Sequence, residues 1–458
     1  MPESIFPVPL VPFEHFMLAN DRPGHPMSFF VRLTFDGQFD RNLLNAALKT
    51  AFALHPLLNS LLQGTAKDAT SRIAWVAACH EPPQIDWHDL QTSIRFVGGP
   101  EIDLRSECGV RIWVREAAPT TRLFLQIHHC CCDGLGAVTF IDTLLRAYHL
   151  LYTTTSTAPL EKIFDIALLR EREMPISSWQ TLKMAWRERL RVARFFNERP
   201  VPLATRSIPS ADNSGCEPFP PLQTFTFGAA ETRQIQIAAK RQGVTVNALM
   251  LRDLFLAIDD WNRSISPDHR GRGIRVCMPV NLRRAHDYRM PAANVVTMAF
   301  MDRRPEELTD PECLLRHLYA ETERTKDLRG SMPFASALKL LGLFPGGINR
   351  WSGRDMCHAS TVMSNLGVPC ARSPLLGPDR RLVAGGVVLK SIEVALPLFP
   401  FTHAAFLALN YGRELTLTVS HDPQWLDEAD GREMLDRFVH RMKASLAGAT
   451  PVSPRSCS

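Results

Sequence analysis

Nowhere in this 458-residue chain does an apolar run reach the eighteen or so residues that a membrane-spanning helix needs. The first sixteen residues also lack a basic stretch leading into an apolar core, and Pro2, Pro7, Pro9 and Pro12 would interrupt one, so no export signal is read there. The eleven cysteines show none of the paired spacings of a secreted disulfide framework and are read as reduced thiols. Together these absences lead us to expect a cytoplasmic protein, at most peripheral on a membrane. Compositional bias is missing too: 45% apolar and 22% charged residues are ordinary globular values, which argues against a disordered or collagen-like chain. A net charge of +5 is compatible with anionic substrates but far from the basic footprint of a nucleic-acid binder, so no nucleic-acid partner is expected.

What is present reads as two domains, since a chain this long exceeds one comfortable core. Residues 28 to 35 alternate as a half-buried strand, with Phe29, Val31, Leu33 and Phe35 on one side. A helix is predicted from Arg41 to about Ala53, closed by His55-Pro56, because the residue before a proline is driven out of the helical region. Strands follow near 72–77, 110–116 and 122–129, then an amphipathic helix over 134–149. Between about 153 and 222 the texture turns to Thr, Ser and Pro, and contains a basic helical candidate at 177–198, either a solvated face or a peripheral membrane or phosphate contact. Beyond it come helices from 230 to Gly243 and from Thr245 to Trp261. Strands are predicted at 274–280, 294–301, 357–364, 382–393, 401–409 and 413–420, and an amphipathic helix through Met434, Phe438 and Met442 ends the pattern. The division expected is a lobe over 1–160, a helical crossover over 161–220 and a second lobe over 221–458.

The chemistry concentrates in His128-His129-Cys130-Cys131-Cys132-Asp133-Gly134. Side chains alternate along a strand, so His129 shares a face with Leu123, Leu125 and Ile127 while His128 points the other way, and only one imidazole can enter a given cavity. His129 is the candidate general base, since a neutral imidazole can take a proton from an attacking alcohol or amine. Asp133 is better suited to anchoring the loop than to acting as a second base beside it. Gly134, where strand gives way to helix, can bring backbone N–H groups to a positive helix end. Consecutive cysteines point in different directions and lack separated C-x-x-C pairs, so no metal is expected there and packing is the plainer role. A pattern His-His-x-x-x-Asp-Gly should arise by chance in such a chain on the order of once in a thousand from average composition.

This segment resembles the HHxxxDG signature of the CoA-dependent acyltransferase superfamily. That superfamily includes chloramphenicol acetyltransferase, nonribosomal peptide condensation domains, alcohol O-acetyltransferases and the wax ester synthase/diacylglycerol acyltransferase family. His55-Pro56-Leu57-Leu58, Gly136-Ala137-Val138-Thr139-Phe140, Met278-Pro279-Val280-Asn281-Leu282-Arg283 and Ser364-Asn365-Leu366-Gly367 are similar to further segments of these proteins. The plant BAHD branch fits poorly, for its Asp-Phe-Gly-Trp-Gly segment is absent.

The resemblance implies an α/β (α+β) fold of two chloramphenicol-acetyltransferase-like lobes, each a mixed sheet with flanking helices, with an active-site tunnel between them. It implies that His129 is the base, supported by His128 and Gly134, and that Asp133 pairs with an arginine, Arg283 being the candidate and Arg275 and Arg284 its neighbours. Ser364 and Asn365 come to the lobe interface as substrate contacts or as a strand-end turn. No bound cofactor is expected. Acyl-CoA is the expected co-substrate and a hydroxyl or amine the acceptor. Condensation on carrier-protein substrates in trans and a catalytically silent acyl-binding homologue are the alternatives.

Overall fold

The computed structural model describes residues 5–64, 73–78, 81–96, 99–154, 160, 163–173, 200–206, 219–266, 273–328, 333–353 and 356–447. The basic segment 177–198 therefore lies outside the described residues.

The first half contains β1 (Val8–Pro9), α1 (Pro12–Asn20), β2 (Ser28–Asp36), α2 (Arg41–Leu54), β3 (Ser60–Gln63), β4 (Ala74–Ala77), β5 (Asp86–Asp89), β6 (Val110–Ala117), β7 (Thr120–His128) and α3 (Gly134–Thr154). Asp40 starts α2 by accepting a hydrogen bond from the Leu43 N–H at 2.9 Å, the usual way a short carboxylate satisfies an orphan first-turn donor. His55-Pro56 ends that helix as the sequence predicts.

The second half contains β8 (Leu222–Phe227), α4 (Ala229–Arg241), α5 (Val246–Ile265), β9 (Ile274–Asn281), β10 (Val296–Arg303), α6 (Pro311–Leu328), α7 (Pro333–Gly342), α8 (Gly347–Ser352), β11 (Thr361–Gly367), β12 (Val383–Ala384), β13 (Val387–Ala395), β14 (Ala404–Tyr411), β15 (Glu414–His421) and α9 (Glu428–Ala447). Thr245 caps α5 through Ala248 N–H. The single strand predicted over 382–393 is instead two, joined by Gly385 and Gly386 at φ of +52° and +87°, a tight turn that glycine makes without a Cβ penalty.

These elements build two mixed six-stranded sheets, in the orders β12-β13-β2-β7-β6-β5 and β10-β9-β11-β14-β15-β8, beside a small β1-β4-β3 sheet. Chain order and lobe membership part company at β12 and β13. The linear division assigns them to the second lobe, yet β13 pairs antiparallel with β2, Val394 opposite Val31 and Ile392 opposite Leu33. Alternation then places Phe29, Val31, Leu33, Leu123, Leu125 and Ile127 on one face of the first sheet, in a core shared with α2 and α3. In the second sheet, Ala404, Phe406 and Ala408 pack under the helical layer that includes α5 and α9, while Ala405, Leu407 and Leu409 on the opposite face join the core of the first lobe. Strand β14 is buried on both sides, which is why its sequence reads as an apolar run and not as an alternation. The two lobes thus share one packed interface, and the cavity opens inside it.

Candidate active site

Strand β7 ends at His128, and the chain turns sharply through the three cysteines into α3. His128 is fully buried and faces away from the cavity. Its Nδ1 accepts from Cys130 N–H at 3.1 Å, and its Nε2 lies 3.3 Å from Asp21 Oδ2. His129 turns the other way: its N–H donates to the Met27 carbonyl at 2.7 Å, and its imidazole lines the inter-lobe cavity between the edges of Phe13 and Phe29. Burial lowers its pKa below the ordinary histidine value, against the opposing pull of its own carbonyl and the Asp133 carboxylate. The ring is therefore neutral at physiological pH, the state a general base requires.

The cysteines fill the turn. All three are fully buried. Cys130 Sγ donates to the Glu14 carbonyl at 3.3 Å, Cys131 packs so tightly on Gly109 that a Cβ there would sit 2.0 Å from Sγ, and a Cβ at Gly136 would sit 2.8 Å from Cys132 Cβ. Burial pushes all three thiols well above their usual range, so they stay protonated and are poor metal ligands or nucleophiles. Among the described residues no group of three His, Cys, Asp or Glu is placed to hold a metal ion.

Asp133 is saturated with donors. Its Oδ1 accepts from Gly136 N–H at 2.8 Å, capping α3, while Oδ2 accepts from Val295 N–H at 2.8 Å and from Arg283 Nη1 at 2.8 Å. Arg283 Nη2 reaches the Ala293 carbonyl at 2.8 Å. Both ion-pair partners are buried, at 4% and 8% exposure, so the pair spans the lobe interface with little solvent screening. Neither neighbouring arginine takes this place: Arg275 pairs with Asp302 at 2.6 Å, and Arg284 is exposed. Gly134 stands at the first position of α3 under Leu366, where a Cβ would approach Leu366 Cδ2 to 2.8 Å.

The cavity runs from His129 along the first two turns of α3 and holds about 1310 Å³ of empty space, its open mouth included. Its walls are almost wholly apolar: Phe29, Val31 and Leu33 from β2, Leu389, Ile392 and Val394 from β13, and Leu135, Val138 and Ile141 from α3. Ser364 and Asn365 line it from the second lobe. Ser364 is nearly buried. Asn365 donates to Asn247 Oδ1 at 3.1 Å and accepts from Gly367 N–H at 2.9 Å, so it is held as a strand-end turn as well.

One contributor escapes the sequence reading. Asn294 donates through Nδ2 to the carbonyls of both His129 and Cys130, each at 2.8 Å, and with Ala293 and Val295 forms a clasp on the histidine turn. Its signal was a lone amide in the run Ala292-Ala293-Asn294-Val295-Val296, since a polar group buried among apolar neighbours needs a partner.

No family model matches the chain. An uncharacterized protein of Mycobacterium tuberculosis strain H37Rv, and one of strain CDC 1551, are each 26% identical to it over 297 residues, 60% of this chain. The chain spans 62% of the length of these curated relatives. Solved structures cover it more fully. The first condensation domain of the calcium-dependent antibiotic synthetase superposes with a TM-score of 0.70 at 16% identity over 98% of both chains. A starter condensation domain of rhizomide synthetase, solved with C8-CoA, gives 0.67 at 15% identity over 97% of this chain and 96% of that one. Polyketide synthase associated protein 5 of Mycobacterium tuberculosis gives 0.62 at 14% over 96% and 98%. At these identities the likeness is one of architecture, and the chain has the two-lobed fold of these condensation domains.

Proposed function

We propose that the protein is an acyltransferase that moves an acyl group from a thioester, on CoA or on a carrier, to a hydroxyl or amine. The observation that carries this reading is His129: an imidazole kept neutral by burial, facing an apolar cavity between two lobes. The acceptor's proton passes to His129 as its oxygen or nitrogen attacks the thioester carbonyl. On this reading the developing oxyanion is met by backbone donors near Gly134, at the positive end of α3. Collapse breaks the C–S bond, and the imidazolium returns the proton to the departing thiolate, so no acyl-enzyme is needed. Asp133 and Arg283 hold the turn and take no proton.

The aliphatic walls suit an acyl chain, and the fold neighbour solved with C8-CoA supports a thioester of that kind. The same neighbours also support carrier-bound substrates presented in trans, since several are condensation domains of synthetases. The test is release of free thiol from acetyl-, medium- and long-chain acyl-CoAs with mixed alcohols and amines. The expected result is acceptor-dependent release that falls by about 10² to 10⁴ in His129→Ala, the usual worth of a general base. Binding of an acyl-CoA with no turnover from any pair would leave a silent acyl-binding protein instead.

A further inference from the structure

Flanking two cavity-lining stretches, at Arg283 and at Pro369–Cys370, lies a cluster of positive charge that the catalytic reading does not use. Arg283 is anchored on Asp133, and one residue on, the chain enters the short turn Arg284–Arg289, capped from beneath by the buried Asp287, which accepts from Arg284 N–H at 2.7 Å. Arg284, Tyr288 and Arg289 are exposed on that turn. The segment Leu366–Cys370, whose Leu366, Pro369 and Cys370 line the cavity, is followed by the exposed Arg372. The two segments meet: the Arg372 guanidinium sits over the Tyr288 ring, 4.8 Å from its centroid. No ion pair engages Arg284, Arg289 or Arg372 among the described residues, whereas Arg283, Arg275 and Arg303 nearby are all paired. The acids closest in sequence are already committed, Asp287 to His286 at 2.9 Å and to the turn itself.

Resting on the acyl-transfer reading, we propose that Arg284, Arg289 and Arg372, grouped around Tyr288, receive the phosphates of a CoA thioester. On this assignment the donor is CoA itself. CoA carries a diphosphate and a ribose phosphate at the end of a flexible arm whose thioester must reach His129. Three guanidiniums without ion-pair partners beside these cavity-lining stretches are the chemistry that holds such a group, because their planar donors match phosphate oxygens. An acidic carrier protein would call for a broader docking face; this cluster, among the described residues, lies on two short segments around one half-exposed ring.

The measurement is calorimetric binding of octanoyl-CoA and of octanoyl-pantetheine, which has the same thioester and arm but no nucleotide, to the full chain carrying His129→Ala. The wild-type cluster should favour octanoyl-CoA by roughly tenfold or more, the worth of one or two net charge-assisted contacts. Arg284→Glu, Arg289→Glu and Arg372→Glu together should erase that preference and leave octanoyl-pantetheine binding unchanged, which also reports an intact fold. The three glutamine substitutions are the milder second variant. Equal affinity for the two thioesters, or a preference that survives both variants, overturns the phosphate site alone. So does weakened binding of an acylated carrier protein with octanoyl-CoA unaffected. Failure of both thioesters to bind would overturn the acyl-transfer reading along with it.

Discussion

Asp133 accepts from a first-lobe helix turn, from Val295 just before β10 and from a second-lobe arginine at once. Removing Arg283 leaves a buried carboxylate with two N–H donors and no counter-charge, so Arg283→Met should cost about 3–5 kcal/mol. Denaturant unfolding followed by fluorescence measures this. Arg283→Lys should recover little, because one ammonium cannot serve Asp133 Oδ2 and the Ala293 carbonyl with the fork geometry of a guanidinium. Several placements at this scale could be read from the chain. Strand alternation separates His128 from His129, and the two do diverge. The choice of Arg283 over Arg275 and Arg284 rested on resemblance, since spacing alone cannot say which of three nearby guanidiniums crosses an interface. The tight fit of Cys131 on Gly109 was not legible, for it depends on two strands meeting in register.

Pro12, Pro311 and Pro333 each stand at the first position of a helix, α1, α6 and α7. There the missing N–H costs nothing and the fixed φ suits the turn. The sequence reading placed no helix over these three spans, whereas it closed α2 correctly at His55-Pro56. His55 itself joins elements of both halves: its Nδ1 accepts from Ala292 N–H at 2.9 Å and its Nε2 meets Thr143 Oγ1 at 2.9 Å. This network requires the neutral ring, and burial pulls the pKa from 6.5 down to about 3. Below pH 6.5 the unfolded chain takes up a proton that the native state refuses, so stability is intact above that pH and declines toward about 3. One such group should remove about 2 kcal/mol between pH 7 and 5, near 1.4 kcal/mol per pH unit. His55→Gln, though less stable at pH 7, should lose correspondingly less over that interval in urea titrations.

At the scale of the molecule, the sequence conveyed two mixed α/β layers, but not the exchange of β12 and β13 between halves. A strand's sheet is set by its pairing partner, which periodicity does not reveal. The crossover ends are pinned separately: Arg172 forms a buried ion pair with Glu14 at 2.7 Å, while Trp261 Nε1 donates to the Ala204 carbonyl at 2.8 Å. A fragment of residues 1–160 retains β2 but loses its partner β13 and the clasp on the histidine turn. It should show no cooperative thermal transition by circular dichroism, where the full chain shows one.

The order of synthesis adds something to this exchange. A ribosome that has finished β7 must still make more than two hundred residues before β13 emerges, roughly tens of seconds at about 5–20 residues per second. Through that interval β2 is an open edge beside an incomplete apolar face, the kind of surface that recruits the wrong strand. The nascent first half is thus a client for holding chaperones, and slowing or truncating translation late in the message would damage the lobe encoded early in it.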